Sequence, residues 1–408
     1  MSELLKPGDA AQVLEAVRWA AASEKPLEVL GGGSKRGLGR PNHAGHRLDL
    51  TALSGVSLYE PEELVLTASA GTSLGEIQAM LAQQRQQLAF EPPDLADLYG
   101  GDGEQTIGGV LAANLAGSRR IKAGAARDHL LGVKGVSGRG EEFKSGGRVV
   151  KNVTGYDLCK LMAGSFGTLA AMTEVTVKVL PAPEKTRTVL AFGLADEAAV
   201  AALAQAGGSP HEVSGLAHLP AAVAARSAVS YVNGANAAVT AVRIEGPAPS
   251  VAHRTGALRE QLAAVGAVEE LHGSNSAALW REVGAVAGLL PDTGAVIWKV
   301  SVPPIDGPAV ARRVLAEGGE GYYDWAGGLV WLALPPSDDA GADLVRGAVA
   351  AVARGGDGGH ATLMRAPEAM RGAVEVFQPP IPALAALQGR IKEAFDPLGI
   401  LNPGRMYP

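Results

Sequence analysis

The sequence predicts an α+β protein of two domains, and three observations carry that prediction. With 408 residues and 47% hydrophobic content, the chain can bury more than one core. Its first 180 residues set short apolar runs between five glycine-dense turns, whereas the stretch beyond residue 188 is alanine-rich and repeats a strand–helix–strand pattern. Between the two lies "LPAPEKTRT", Leu180 to Thr188, a proline-containing charged break that marks a domain boundary.

The elements follow in chain order. Val13, Val17 and Ala20 or Ala21 recur at helical spacing between Asp9 and Lys25, with Asp9 placed as the cap. "PLEVLG" is the next strand, and it breaks into "GGGSKRGLG". "HRLDLTALSGVSLYEPEELVLTASAGTSLGEIQAMLAQQ" reads as two strands, a tight glycine turn and a helix beginning near Leu74. Tyr99 to Val150 is again glycine-dense, after which Val175, Val177 and Val179 alternate with Thr176 and Lys178 as a half-buried strand does. In the second domain, strands are expected at Thr188–Phe192, Ala238–Glu245 and Val268–His272, with helices at Ala195–Ala206 and Ser250–Val265. A second set has strand Ala295–Val302, helix Pro308–Ala316, a strand pair within Gly321–Leu334, helix Asp338–Arg354 and strand His360–Arg365. Two such β-α-β units predict a mostly antiparallel sheet that serves as a lid rather than a second nucleotide fold.

Composition excludes several functions. With 36 basic and 42 acidic residues, the chain lacks the positive excess of a nucleic-acid binder. Neither a leader peptide nor a run of about 20 apolar residues occurs, so a cytoplasmic address is expected. Cys159 is the only cysteine, which rules out an internal disulfide and an iron–sulfur cluster ligated within this chain. The eight histidines form no HxH or HExxH pair; His211 and His218 read as surface residues, and no metal is expected.

The motifs converge on an anionic ligand. Gly31, Gly33 and Gly37 are spaced G-x-G-x-x-x-G and are followed by Pro41 and Gly45, so no helix begins where a dinucleotide fingerprint needs one. What remains is a nest, in which successive N–H groups converge with Ser34, Lys35 and Arg36 on an anion; as structure alone it is a glycine-rich turn. "GTSLG" around Ser73 matches the G-x-S-x-G of a hydrolase, but Ser73 and Glu76 also make the S-x-x-E of a capping box, and the cap is preferred. His360, with Asp357 three residues before it, does not complete a triad from separate loops. "TIGGVLAAN" places Gly108 and Gly109 at the start of an apolar helix, where bare N–H groups could meet a phosphate or a flavin edge. Arg119, Arg120 and Lys122 precede Gly124 and on their own would be a solvated face; "KNVTGYDL" and "GSFGT" add two further glycine turns. Five such turns suit a long phosphate-containing ligand.

These stretches resemble the FAD-binding domain of the vanillyl-alcohol oxidase / p-cresol methylhydroxylase superfamily. "VLGGGSKRGLG" is similar to its pyrophosphate loop, "VLTASAGTSLGEIQAML" to its "AGTTL…L" segment, "TIGGVLAANLAGSRR" to its Gly-Gly helix, and "GSFGTLAAMTEVTVKVLP" to its "GSxGTL…T" strand. "FDPLGILNPGRMYP" resembles the tail that returns to the flavin domain. The resemblance implies a p-cresol methylhydroxylase-type FAD domain of two α+β subdomains over residues 1–182, an α+β lid of mostly antiparallel sheet over 188–380, and a returning segment, 381–408. It also implies that Gly31, Gly32, Gly33, Ser34, Lys35, Arg36, Gly37 and Leu38 cradle the pyrophosphate. Thr106, Gly108, Gly109 and Asn114 would lie along the flavin, followed by Arg119, Arg120 and Gly124, with Tyr156, Asp157, Ser165, Gly167 and Thr168 completing the site. No histidine lies within "GGGSKRGLG", where many relatives attach the flavin, so noncovalent FAD is expected.

Within the superfamily, "RVVKNVTGYDLCKLMAGSFGTL" and the short lid are most similar to the E subunits of bacterial glycolate oxidases. That implies oxidation of glycolate, a small 2-hydroxy acid, to glyoxylate, with a D-type flavoprotein subunit and an F-type iron–sulfur subunit as partners and membrane contact only through them. Two departures bear on catalysis: Phe166 stands where many lactate-type relatives have Glu, and a metal-binding histidine cluster is absent, leaving His360 near an expected substrate loop. Catalytic residues stay unassigned. A stand-alone dehydrogenase of another hydroxy acid or alcohol, and a noncatalytic FAD scaffold or relay, remain alternatives.

Overall fold

The computed structural model describes residues 3–101, 103–148, 155–354 and 358–407. Asp9 caps the helix Ala10–Ser23, accepting from Gln12 N at 2.8 Å, and the helix buries Val13, Val17 and Ala20. These side chains share a core with Leu27 and Leu48, from a parallel sheet ordered Glu3–Leu5, His46–Asp49, Leu27–Leu30. A second, antiparallel sheet runs Val56–Glu60, Val65–Ser69, Ala170–Lys178, Leu130–Ser137, Glu142–Gly146.

Two expectations change here. The stretch from His46 holds three strands rather than two, because "EPEEL" closes a hairpin between Val56–Glu60 and Val65–Ser69, with Leu64 at φ 57°. Ala170–Lys178 is buried on both faces rather than one. It is the central strand, and its Thr176 hydroxyl pairs with Thr67 at 2.9 Å instead of meeting water.

The third sheet is the largest. Its eight strands run Val268–His272, Lys185–Phe192, Val239–Gly246, Gly215–Leu219, Glu320–Asp324, Leu329–Leu334, Val296–Ser301, His360–Arg365, and every described pairing is antiparallel. Gly215–Leu219 escapes a sequence reading because all five residues are buried, so no period-two alternation marks it. Its His218 is fully buried, not a surface residue; Nδ1 meets Thr240 Oγ1 at 2.9 Å and Nε2 lies 3.3 Å from Asp196. The helix Gly273–Gly284 is also unforeseen, since its opening "GSNS" has loop composition. One face of the sheet buries Trp298, Val300, Leu332 and Leu363 with Val310, Val314, Val345 and Val349 from two helices. The other contributes Ala241, Tyr322, Leu329 and Trp331 to a core shared with Phe90, Leu111 and Leu115 of the first half.

Two crossed ion pairs bind these halves together. Arg119 Nε and Nη2 donate to Glu245 at 2.9 and 2.8 Å, while Arg243 Nη1 and Nη2 donate to Glu91 at 2.8 and 2.9 Å. After the helix Pro382–Phe395 the chain comes back to its beginning: Leu27 N donates to Ile400 O at 2.7 Å, and Asn402 N donates to Leu27 O at 2.9 Å. No helix among the described residues is long and apolar enough to cross a membrane.

Candidate functional site

The strand Leu27–Leu30 ends against two glycine loops pressed back to back. A Cβ on Gly32 would stand 1.9 Å from Glu104 O, one on Gly103 would stand 1.6 Å from Gly32 O, and one on Gly31 would stand 2.2 Å from Thr106 Oγ1. Side chains are therefore excluded on the packed side. On the other side, no described group accepts from the N–H of Gly32, Gly33, Ser34 or Lys35. A run of unpartnered amides makes an anion-binding concavity.

The cations around this loop are unequal. Lys35 Nζ donates to Ser34 Oγ at 3.0 Å and Gln105 Oε1 at 3.2 Å; burial brings the ammonium down to about 8, opposed by the charge of Asp94. An anion in the cleft would offset that desolvation. Arg36 is committed elsewhere, with Nε and Nη2 each 2.8 Å from the buried Glu28, which Arg47 also approaches at 3.2 Å. Arg405, from the chain's last turn, donates through Nη2 to Lys35 O at 2.9 Å, and burial lowers it to about 10.

The loop opens on a cleft that continues into a second space, the two sharing Gly31, Thr106, Gly109 and Phe166. Thr106 caps the helix Ile107–Ala112, accepting from Gly109 N at 3.2 Å, while a Cβ on Gly108 would sit 2.7 Å from Ala70 O. That helix therefore lies tight on the end of the strand Val65–Ser69. Beyond the amides the walls turn apolar, through Leu38, Ala112, Ala113, Phe166 and Met172. An anion cradle leading into an apolar trough fits a molecule with a pyrophosphate at one end and a flat ring system at the other.

The structure sorts the residues named from sequence. Gly31 to Arg36, Leu38, Thr106, Gly108, Gly109 and Gly167 line the two spaces. Gly37 stands behind the loop, where a Cβ would come within 2.5 Å of Tyr99. Asn114, at φ 50°, turns the chain and accepts from Arg127 N at 2.9 Å. Arg119 points at Glu245 and not into the trough, Arg120 stacks 4.9 Å from the Trp325 ring, and Gly124 is a turn residue at φ 84°. Asp157 caps the helix Leu158–Met162, accepting from Lys160 N at 3.3 Å, and Tyr156 is 93% exposed. Of "KNVTGYDL", Lys151 to Thr154 lie outside the described residues. Ser165 Oγ donates to Met162 O at 2.9 Å and Thr168 Oγ1 to Ser165 O at 2.7 Å, so both shape the loop that presents Phe166 and Gly167. Ser73 caps its helix, accepting from Glu76 N at 3.3 Å, and otherwise meets the Glu104 carboxylate.

Sequence reasoning does not name Ala112, Ala113, Asn402 or Arg405, and it marks Phe166 only as a departure from lactate-type relatives. Asn402 is the most connected of them. Its Oδ1 accepts from Val29 N at 2.8 Å, and its Nδ2 donates to Phe166 O at 2.8 Å and Val29 O at 3.2 Å. One amide thus clamps the strand before the glycine loop to the loop that carries Phe166. The available signal was the "LNPG" tail, whose Asn402 adopts φ 42°.

A family model described as FAD binding domain matches residues 2–146. Glycolate oxidase subunit GlcE of Escherichia coli K12 is 34% identical over 395 residues, covering 97% of this chain and 96% of that protein. Glycolate oxidase subunit GlcD of Bacillus subtilis is 37% identical over 135 residues, 33% of this chain and 28% of that one. Among solved structures, p-cresol methylhydroxylase superposes with a TM-score of 0.69 at 14% identity, over 98% of this chain and 88% of its own.

Proposed function

The chain belongs to the glycolate oxidase subunit GlcE family and is an FAD-dependent oxidoreductase with the p-cresol methylhydroxylase fold, and from that premise we propose that it is the FAD-binding subunit of a glycolate oxidase complex. The observation that carries the reading is similarity along nearly the whole length to a protein so named, over a chain whose glycine cleft suits the cofactor. The substrate proposed is glycolate, oxidised to glyoxylate.

Each region of the cleft has a role in this scheme. The amides of Gly32 to Lys35 and the Lys35 ammonium hold the pyrophosphate. Thr106, Gly108 and Gly109 set the helix start along the cofactor, and Leu38, Ala112, Ala113 and Phe166 keep water from its length. FAD, when bound, supplies the hydride acceptor for a CH–OH donor. No histidine lies in the loop from Gly31 to Gly39, so the cofactor is held noncovalently. With Cys159 alone in the chain, electrons leave toward an iron–sulfur partner subunit beside a second flavoprotein subunit.

The visible spectrum of purified protein before and after acid precipitation tests the cofactor assignment: free FAD in the supernatant is expected, and yellow colour retained in the pellet would overturn noncovalent binding. Anaerobic mixing with glycolate tests the substrate assignment, bleaching of the flavin being the expected result. Phe166 favours a second reading, a relay for a catalytic partner, because the loop beside the trough presents a ring packed 5.0 Å from Phe377 and no acid or base. Isolated chain that keeps its yellow colour with glycolate, but bleaches once the partner subunits are added, would select that reading.

A further inference from the structure

We propose that Lys299, Arg120 and His360 form a carboxylate-binding subsite on the face of the large sheet that is turned toward the FAD domain. The proposal rests on the 2-hydroxy-acid reading above and names the groups that take the acid's charge.

Strand alternation sets the direction of Lys299. Its neighbours Trp298 and Val300 are buried in the core between the sheet and its own helices, so Lys299 projects from the opposite face, across from Trp331 on one neighbouring strand and Thr362 on the other. His360 pairs with Ser301, two residues along, and so shares that face. Arg120 arrives from the FAD domain. Two indoles collect the cations: Lys299 Nζ lies 5.3 Å from the Trp325 ring and 5.9 Å from the Trp331 ring, and Arg120 Cζ lies 4.9 Å over Trp325.

No described carboxylate pairs with any of the three. Asp324, the acid on the same sheet face, accepts from Ser118 Oγ at 2.6 Å and Trp325 N at 2.7 Å. The consequences show in the titrating groups. Burial lowers Lys299 to about 8, with Arg120 adding to the shift and Asp324 opposing it. His360 is lowered by burial and then by Lys299 and Arg120. Like charges opposed only by Asp324, whose carboxylate is already bonded to Ser118 and the Trp325 amide, are unfavourable together, and indole faces compensate incompletely. A small carboxylate completes the arrangement: it neutralises two cations at once and lies flat against an aromatic wall. Arg120 and His360 are exposed, so the place is open to a solute.

Oxalate, a two-carbon dicarboxylate with no hydride to give, is the probe, titrated into FAD-loaded protein with tryptophan fluorescence and flavin absorbance recorded together. Saturable quenching is expected because Trp325 and Trp331 form the wall. R120A and K299M should each weaken oxalate at least about tenfold, the scale of one charge-assisted hydrogen bond. Glycolamide, the uncharged analogue of glycolate, should produce no quenching below a concentration tenfold higher. Oxalate affinity within twofold of wild type in both variants, or glycolamide binding as tightly as glycolate, would overturn the subsite. So would loss of FAD from either variant with oxalate affinity intact, since the cations would then serve the cofactor. Arg120 is exposed, so R120A keeps the test decisive if K299M fails to fold. Because oxalate needs no turnover, the subsite can stand where glycolate bleaching fails, and the two readings are refuted separately.

Discussion

Asp324 is 2% exposed at the seam between the large sheet and the FAD domain, and burial pushes its carboxyl up to about 6 against the bonds from Ser118 and the Trp325 amide. The folded protein thus holds this proton more tightly than the unfolded chain does. The penalty is absent below about pH 4 and grows as pH rises through about 6, to a scale of roughly 3 kcal/mol at 1.4 kcal/mol per unit. Asp324→Asn removes the ionisation. Urea midpoints at pH 4 and pH 7 should show the variant gaining on wild type as pH rises, and a constant difference would refute the assignment. Gly32 illustrates a second residue-scale cause. From sequence it belongs to a loop whose N–H groups converge on an anion, and the structure adds a packing reason for glycine in Glu104 O at 1.9 Å from a Cβ. Gly32→Ala must push the two loops apart. Overpacking of this kind costs about 1–3 kcal/mol. Flavin content on purification should fall together with Tm; full flavin content at wild-type Tm would contradict the collision.

At the scale of elements, the crossed pairs Arg119–Glu245 and Glu91–Arg243 decide how the sheet meets the FAD domain. Burial alone would raise Glu245, but the hydrogen bond from Arg119 and the charges of Arg243 and Arg119 bring it down to about 2. That stabilisation is complete above the ordinary carboxylate range and is lost as pH falls toward 2. Arg119→Ala leaves a nearly buried carboxylate facing Arg243 alone and should cost roughly 3 kcal/mol at pH 7. The deficit should shrink at pH 3.5, because the carboxyl that has lost Arg119 takes up a proton there and sheds its desolvation cost, while the wild-type carboxyl, at about 2, stays ionised. An equal deficit at both values would show the loss to be one of packing. None of this is readable locally: Arg119 and Glu245 are 126 residues apart, and on its own a cation before Gly124 reads as a solvated face, a flavin ligand only through the resemblance. Amphipathic helices such as Ala10–Ser23 are legible because their period is local, whereas Gly215–Leu219, buried on both faces, has no period to display.

Across the whole molecule, the last residues complete the glycine-lined cleft. Asp396 accepts from Ile400 N at 3.0 Å and Leu401 N at 2.8 Å, shaping the tail so that Leu401 bridges to Leu27 while Asn402 and Arg405 reach the cleft. Truncation before Asp396 should release FAD while leaving the large sheet folded, because that sheet draws its strands from residues 185–365. Flavin fluorescence and far-UV circular dichroism, followed on one thermal ramp, check this. Simultaneous loss of both signals at a lowered temperature would show that the tail holds the entire fold.

By itself the sequence determines the α+β class, the mostly antiparallel sheet of the second half, the helices with a clear period and the glycine-dense loop after an apolar strand, since each rests on local spacing or on glycine's missing side chain. Tertiary structure alone decides which charges are available at the site. Glu28 takes Arg36 and Glu245 takes Arg119, while Asn402 and Arg405 join the cleft from 373 and 370 residues away. Ion pairing and chain return are contacts between distant segments, and no local period or composition encodes which partner a charge will meet.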